Sequence, residues 1–449
     1  MELILGLIAI VIVGYYVIKG YSATGVLMSV GLLLLLASVM MGKSILPDSV
    51  KSTGEVYLDI FEYVKYLLMN RGGNLGMLIM VLCGFAAYMT HLGANDMVVK
   101  LASHPLKYIK SPYILMIAAY FLACLMSLAV PSATGLGVLL MATLFPIMVN
   151  VGISRGAAAS ICASPAAIIL SPTSGDVVLA AEVSKMPLLE YAFNLTLPIS
   201  ISAIIAIAIS HYFWQRYLDR KEGHLAEKLE IHEIQTKVPA FYALFPFTPI
   251  FGVLIFDGKF APELNIITII VICLALVAVV DFLRSFSAKT VFDNLNVAYQ
   301  GMADAFSSVV ILLVAAGVFA QGLSTVGFIH ALIDSVQSAS SGTFLMMLAL
   351  ALITALAAIA TGSGNAPFYA FVELIPKLAH QMNANPAYLT TPMLQASNIG
   401  RSLSPVSGVV VAVSGMAKIS PFEVVKRISV PMIVGMIVVI VATELLVAA

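Results

Sequence analysis

Polar positions are scarce in this chain, and they fall in groups. Between them lie apolar runs of bilayer-crossing length. Glu2 to Ile18 and Ser22 to Met41 come first, Leu75 to His91 is a third, and Leu195 to Trp214 closes the first half. A hydrocarbon core of about 30 Å takes roughly 20 helical residues, so each run predicts a transmembrane span. Glu55 to Met69 is patterned differently. There Val56, Ile60, Tyr63, Val64 and Leu67 recur at helical spacing opposite Asp59, Glu62 and Lys65, which predicts a helix lying in the interface. Beyond a charged stretch at 216–238 the plan repeats. Phe241–Phe256, Leu264–Asp281 and Ala303–Gln321 match the early spans, Ser285–Tyr299 matches the interfacial helix, and Ile428–Leu446 comes last.

Four apolar stretches are interrupted. Pro131–Gly137 splits 112–150, Ser171–Asp176 splits 156–184, Thr361–Pro367 splits 343–380, and Asn398–Gly408 splits 388–417. Two of the breaks are twins: Ala163 to Gly175 aligns without a gap on Ala396 to Gly408, with 7 of 13 positions identical. Irregular backbone at membrane depth survives only inside protein or beside a wet cavity. Matching breaks in two halves are the pattern of a transporter built from repeats. The expected fold is an all-α polytopic membrane protein of two repeats, 1–215 and 239–449, joined by a charged cytoplasmic linker. Each repeat holds a re-entrant helical hairpin (112–150; 343–380) and a discontinuous transmembrane helix (156–184; 388–417). Read as hairpins or as paired short spans, each half crosses an odd number of times, so the topology inverts either way. Short arms and tips of Gly, Ser and Thr favour hairpins.

Composition narrows the class. Charged residues make up 10% and apolar residues 61% of the chain, against about 25% charged in a soluble protein. The net charge is zero, which points to neither nucleic acid nor a polybasic lipid switch. Cys83, Cys124, Cys162 and Cys273 stand singly inside apolar runs and read as core. The first span lacks a basic leader and is expected to be retained. With the linker in the cytoplasm, basic residues divide fifteen to seven in favour of that side, so both termini are expected to face outward.

The candidate site is the set of breaks, which inverted symmetry brings together near the midplane. Half-helix N-termini offer free N–H donors and partial positive charge to an anion. Arg401 adds a planar fork matched to a carboxylate. Ser132, Ala133, Thr134 and Gly135 form the first tip, and Ser363, Gly364 and Asn365 the second. Ser171, Pro172, Thr173, Ser174 and Gly175 form one broken-helix site; Asn398, Arg401, Ser404, Pro405 and Ser407 form the other. Asp176 and Glu373 are candidates for a coupling ion, sodium or proton; no cofactor or metal is expected. The ligand implied is a small anion with two carboxylates. An enzyme would need a nucleophile–base pair or metal ligands at depth, and no HExxH occurs. An anion channel, or a carrier of another small organic anion, is the alternative.

These motifs carry a resemblance along essentially the whole chain. Gly20-Tyr-Ser-Ala-Thr-Gly-Val26, Cys83-Gly-Phe-Ala-Ala-Tyr-Met-Thr90 and Gly93-Ala-Asn-Asp-Met97 belong to it. So do Ser132-Ala-Thr-Gly-Leu-Gly137, Ser171-Pro-Thr-Ser-Gly-Asp176, Thr361-Gly-Ser-Gly-Asn-Ala-Pro-Phe-Tyr-Ala370 and Ser404-Pro-Val-Ser-Gly408. The chain resembles the anaerobic C4-dicarboxylate transporters of the DcuC type, within the ion-transporter superfamily. The resemblance implies exchange or efflux of succinate, fumarate and malate across a bacterial inner membrane during anaerobic metabolism. It also implies a homodimer with a scaffold and an elevator-type transport domain. Superfamily relatives carry Ser-Asn-Thr at their tips, where this chain reads Ser132-Ala-Thr134 and Ser363-Gly-Asn365.

Overall fold

The computed structural model describes residues 2–47, 50–109, 111–172, 174–223, 238–256, 258, 261–328 and 342–448. Among them every regular element is helical. The first half contains α1 (Glu2–Ile18), α2 (Ala23–Met40), α3 (Asp59–Arg71), α4 (Met77–His91), α5 (Ala94–Ser103), α6 (Pro112–Met126), α7 (Ala133–Asn150), α8 (Arg155–Ala163), α9 (Gly175–Val183) and α10 (Leu197–Glu222). The second contains α11 (Thr248–Ile255), α12 (Ile266–Ser285), α13 (Ala288–Ala305), α14 (Ile311–Val326), α15 (Gly342–Thr361), α16 (Asn365–Val372), α17 (Ile375–Met382), α18 (Pro386–Ser402), α19 (Gly408–Ala417) and α20 (Pro421–Leu446). Among the described residues seven helical stretches are long and apolar enough to cross a bilayer, and an eighth counts if α4 and the segment after it, bent by 66°, form one span. The chain is a polytopic membrane protein. Its outward apolar side chains, such as Leu33, Phe213, Leu276, Leu356 and Ile437, are exposed as lipid contact requires.

Packing is crosswise. Helix α2 lies along α14 of the other half, while α13 lies along α4. Small residues permit both approaches: a Cβ on Gly31 would sit 2.7 Å from the Phe319 nitrogen, and one on Gly84 2.7 Å from the Ala298 oxygen. A wide helical turn precedes each partner, Gly72–Gly76 before α4 and Phe306–Val310 before α14, and the two turns touch. Two satellite cores follow from this exchange, one around Leu35, Tyr63 and Val318 and one around Phe85, Tyr242 and Val277. The main core holds α6 to α10 and most of α15 to α20.

Element limits depart from expectation at every break. In the first hairpin the return helix starts at Ala133, so it has eighteen residues instead of the twelve expected from Val138. The Ser132 hydroxyl accepts from the Gly135 N–H at 3.1 Å and starts the helix early. The second return arm begins at Asn365 but stops after Val372, and α17 resumes at Ile375 before Pro376. Helix α8 ends at Ala163, short of Leu170, because Pro165 cannot continue the ladder. Helix α18 runs through Asn398, Gly400 and Arg401 to Ser402, and only then does Pro405 break it. Gly400 is a close-approach residue, not a break: a Cβ there would lie 2.4 Å from the Ala355 oxygen of α15. Asp59 also departs from expectation. It is buried, with Oδ1 accepting from the Thr53 N–H at 2.7 Å and Oδ2 from the Ser52 hydroxyl at 2.6 Å. Helix α10 continues to Glu222, and residues 224–237 of the expected linker lie outside the described residues.

Candidate functional site

Each break starts a helix, and a small polar residue sits at each start. Ser132 caps α7. The Ser363 hydroxyl accepts from the Ala366 N–H at 3.4 Å beside the start of α16, and Ser407 caps α19 through the Val410 N–H at 3.4 Å. Ser174 stands at the same position before α9 without a side-chain cap bond. Such starts leave backbone N–H groups without helical partners. The four helices span eighteen, nine, eight and ten residues, enough for aligned peptide dipoles at each start.

All four starts meet in one cavity of about 750 Å³. Its wall includes Ser132, Ala133, Thr134 and Gly135, then Ser171, Ser174, Gly175 and Asp176. Of the other predicted residues, Ser363, Gly364, Asn365, Asn398 and Arg401 line it too, and Gly408 stands beside them. The breaks also touch one another. A Cβ on Gly408 would lie 3.0 Å from Thr134 Oγ1, and one on Gly364 3.0 Å from Asn398 Oδ1. Gly362, with φ at +71°, lies against the Ser407 nitrogen.

Helix α18 braces the unwound backbone opposite. The Gln395 amide accepts from the Ile169 N–H at 3.0 Å and donates to its carbonyl at 3.3 Å. Arg401 Nη2 donates to the Ala166 carbonyl at 2.6 Å. Freed peptide groups that lipid could never satisfy are thereby paired. Arg401 Nε and Asn398 Oδ1 remain buried without protein partners, and among the described residues no carboxylate lies within ion-pairing distance of the guanidinium. Asp176, buried in the same wall, is the carboxylate whose charge acts on the guanidinium. Across the wall, the Tyr369 hydroxyl donates to Asp176 Oδ1 at 2.5 Å, which ties α16 to α9.

Not every predicted residue lines this space. Pro172, Ser404, Pro405 and Ser407 lie outside the wall; Ser404 and Ser407 are buried, the latter spent on the α19 cap. Thr173 lies outside the described residues. Glu373 is elsewhere, with Oε2 ion-paired to Arg71 Nη2 at 2.6 Å.

The profile of the C4-dicarboxylate anaerobic carrier family, DcuC, matches residues 1–448. The anaerobic C4-dicarboxylate transporter DcuC of Escherichia coli strain K12 is 70% identical over 446 residues, covering 99% of this chain and 97% of that one. The chain belongs to the C4-dicarboxylate anaerobic carrier family. A Vibrio cholerae protein bearing the same DcuC name is 57% identical over 450 residues, 100% of this chain and 98% of its own. Two solved transporter structures share the fold of this carrier. The Alcanivorax borkumensis YdaH transporter superposes with a TM-score of 0.60 at 16% identity, over 94% of this chain and 97% of its own. Neisseria gonorrhoeae MtrF gives 0.59 at 14%, over 94% of each. The family is one of carriers, not enzymes.

The carrier's cavity also has lining residues that lie in the resemblance motifs but outside the candidate site read from the sequence. Cys83, Thr90, Asn95 and Asp96 come from α4 and α5, and Tyr369 from α16. Thr90 Oγ1 accepts from Asn95 Nδ2 at 2.8 Å. Gly93, at φ +75°, turns the chain sharply between α4 and α5 and thereby aims this corner inward. The Gly93-Ala-Asn-Asp-Met97 motif carried that signal, although its role was not assigned.

Proposed function

We propose that this carrier moves C4-dicarboxylates such as succinate, fumarate and malate across the bacterial inner membrane, by exchange or efflux during anaerobic metabolism. One observation carries the reading: four helix N-termini and the Arg401 guanidinium share one cavity. Each is suited to anions, and two carboxylates four carbons apart engage two separated donor groups at once. Arg401 holds one carboxylate, with N–H groups and hydroxyls at the two tips holding the other. Asp176 is the candidate for a coupling proton or sodium ion. The two halves act as inverted-topology repeats. The hairpins and broken helices form the moving domain of an elevator-type homodimer against the crosswise-packed helices, with both termini outward. The matched wide turns and the crosswise exchange support that division.

Counterflow in proteoliposomes tests it. Preloaded unlabelled succinate should accelerate entry of labelled fumarate, and Arg401→Ala should abolish that stimulation while the protein still inserts. Ion current without exchange stimulation would identify a channel instead. Normal counterflow in the variant would make Arg401 a brace for Ala166 and nothing more.

A further inference from the structure

Helices α9 and α16 come from opposite halves, yet they are fastened to each other at both ends. At the cavity, Tyr369 donates to Asp176. At their C-terminal ends a single residue, Arg71, reaches Glu182 Oε1 with Nη1 at 2.7 Å and Glu373 Oε2 with Nη2 at 2.6 Å. Glu182 lies six residues after Asp176 and Glu373 four after Tyr369, so the second fastening lies roughly 6–9 Å beyond the cavity wall. Arg71 itself belongs to neither helix. It ends α3, which packs on α14, and the open glycines Gly72 and Gly73 follow it.

Three features separate this cluster from an ordinary structural ion pair. It joins the satellite core that holds α3 to the main core that carries the breaks. It is incompletely satisfied, because Arg71 Nε and Glu373 Oε1 are buried without partners. A half-satisfied buried pair contributes little net stability, since desolvation offsets the Coulomb gain. And its burial is graded: the Glu373 side chain is 9% exposed, Arg71 16% and Glu182 46%, so Glu182 is the arm that water can release first. The opposite corner of the cavity is the open one, where Thr90, Ser132 and Thr134 are exposed.

We propose that Arg71 is a positioning residue for transport, a clasp that ties α9 and α16 to α3 and keeps the cavity closed on the side of Glu182 and Glu373. Opening to that side requires Arg71 to let go of at least one glutamate. The proposal rests on the alternating-access reading above, but its test does not depend on substrate. Cys83 is half-buried in the cavity wall, whereas the other three cysteines are buried, so it is a native reporter. A membrane-impermeant maleimide is added to oriented vesicles from each side in turn, with no substrate present. In the unmodified protein, labelling should be faster from the Thr90 side. Arg71→Gln should raise labelling from the opposite side by roughly fivefold or more and lower it from the near side, the signature of a shifted two-state population. Exchange should slow, with KM for succinate within about twofold, and Arg71→Lys should recover part of both effects. Unchanged labelling from both sides in an inserted Arg71→Gln protein would overturn the clasp. If that variant fails to insert, Glu182→Gln removes the exposed arm alone and should shift labelling in the same direction; no shift there overturns the proposal equally. Loss of succinate exchange by the unmodified protein, with the labelling shift intact, would strike at the substrate reading and leave the clasp standing.

Discussion

The two hairpin tips share a design but not a setting. At the first, Pro131, Ser132 and Thr134 are exposed, and a Cβ on Gly408 would meet only Thr134 Oγ1, at 3.0 Å. At the second, Gly362 lies against Ser407 and Gly364 against Asn398, and no tip residue from 361 to 365 is exposed. On the alternating-access reading proposed above, unequal packing of the two tips is what one state requires, with the open tip on the accessible side and the packed tip on the sealed one. Symmetry of sequence therefore coexists with asymmetry of contact.

That contrast can be broken by mutation, beginning with the largest expected effect. Gly362→Val should cut exchange about tenfold or more with insertion preserved, because a left-handed φ and a backbone neighbour 3.0 Å away both resist a side chain. Gly135→Ala, whose Cβ meets only its own cap at 3.2 Å, should retain at least half the activity. Equal losses at both tips would refute the unequal packing. Next in size is labelling: a thiol at position 134 (Thr134→Cys) should react roughly fivefold faster than one at 365 (Asn365→Cys) when reagent is supplied from the open side. Tyr369→Phe sharpens the comparison further, since it removes the bond that joins the second hairpin to Asp176. A rise of about threefold in KM for succinate is expected, and an unchanged KM would leave that bond without a role in binding. Smallest are the caps. Ser132→Ala and Ser363→Ala should each cost about 1 kcal/mol, seen as a shift of about 1–2 °C in thermal unfolding of detergent-solubilised protein.

The sequence located all four interruptions, because Gly, Ser and Pro are clustered there within apolar stretches, two of the clusters aligning without a gap. It misjudged where helix resumes. Asn398 and Arg401 were expected in unwound backbone, yet α18 carries them as ordinary helical residues and the break waits for Pro405. Local chemistry signals that a helix ends nearby; the position of the end depends on caps and on close neighbours such as Ala355 beneath Gly400. Gln395, which holds both peptide groups of Ile169, was illegible for a related reason: its partner lies 226 residues away. The same is true of Arg71 and Glu373, 302 apart. Pairings across halves belong to the fold, and no window along the chain displays them.

The serines at the tips have a consequence for which ionic form of the cargo is preferred. Ser132 and Ser363 already take a proton-bearing amide on their oxygens, so what each has left to give is its own hydrogen. With four helix starts and a guanidinium beside these hydroxyls, the wall favours a fully ionised diacid over the half-neutralised one, for whose extra hydrogen Asn398 Oδ1 is the open acceptor. Acidifying the medium on the loading side would thus thin out the preferred species, a brake on transport set by the cargo's own titration.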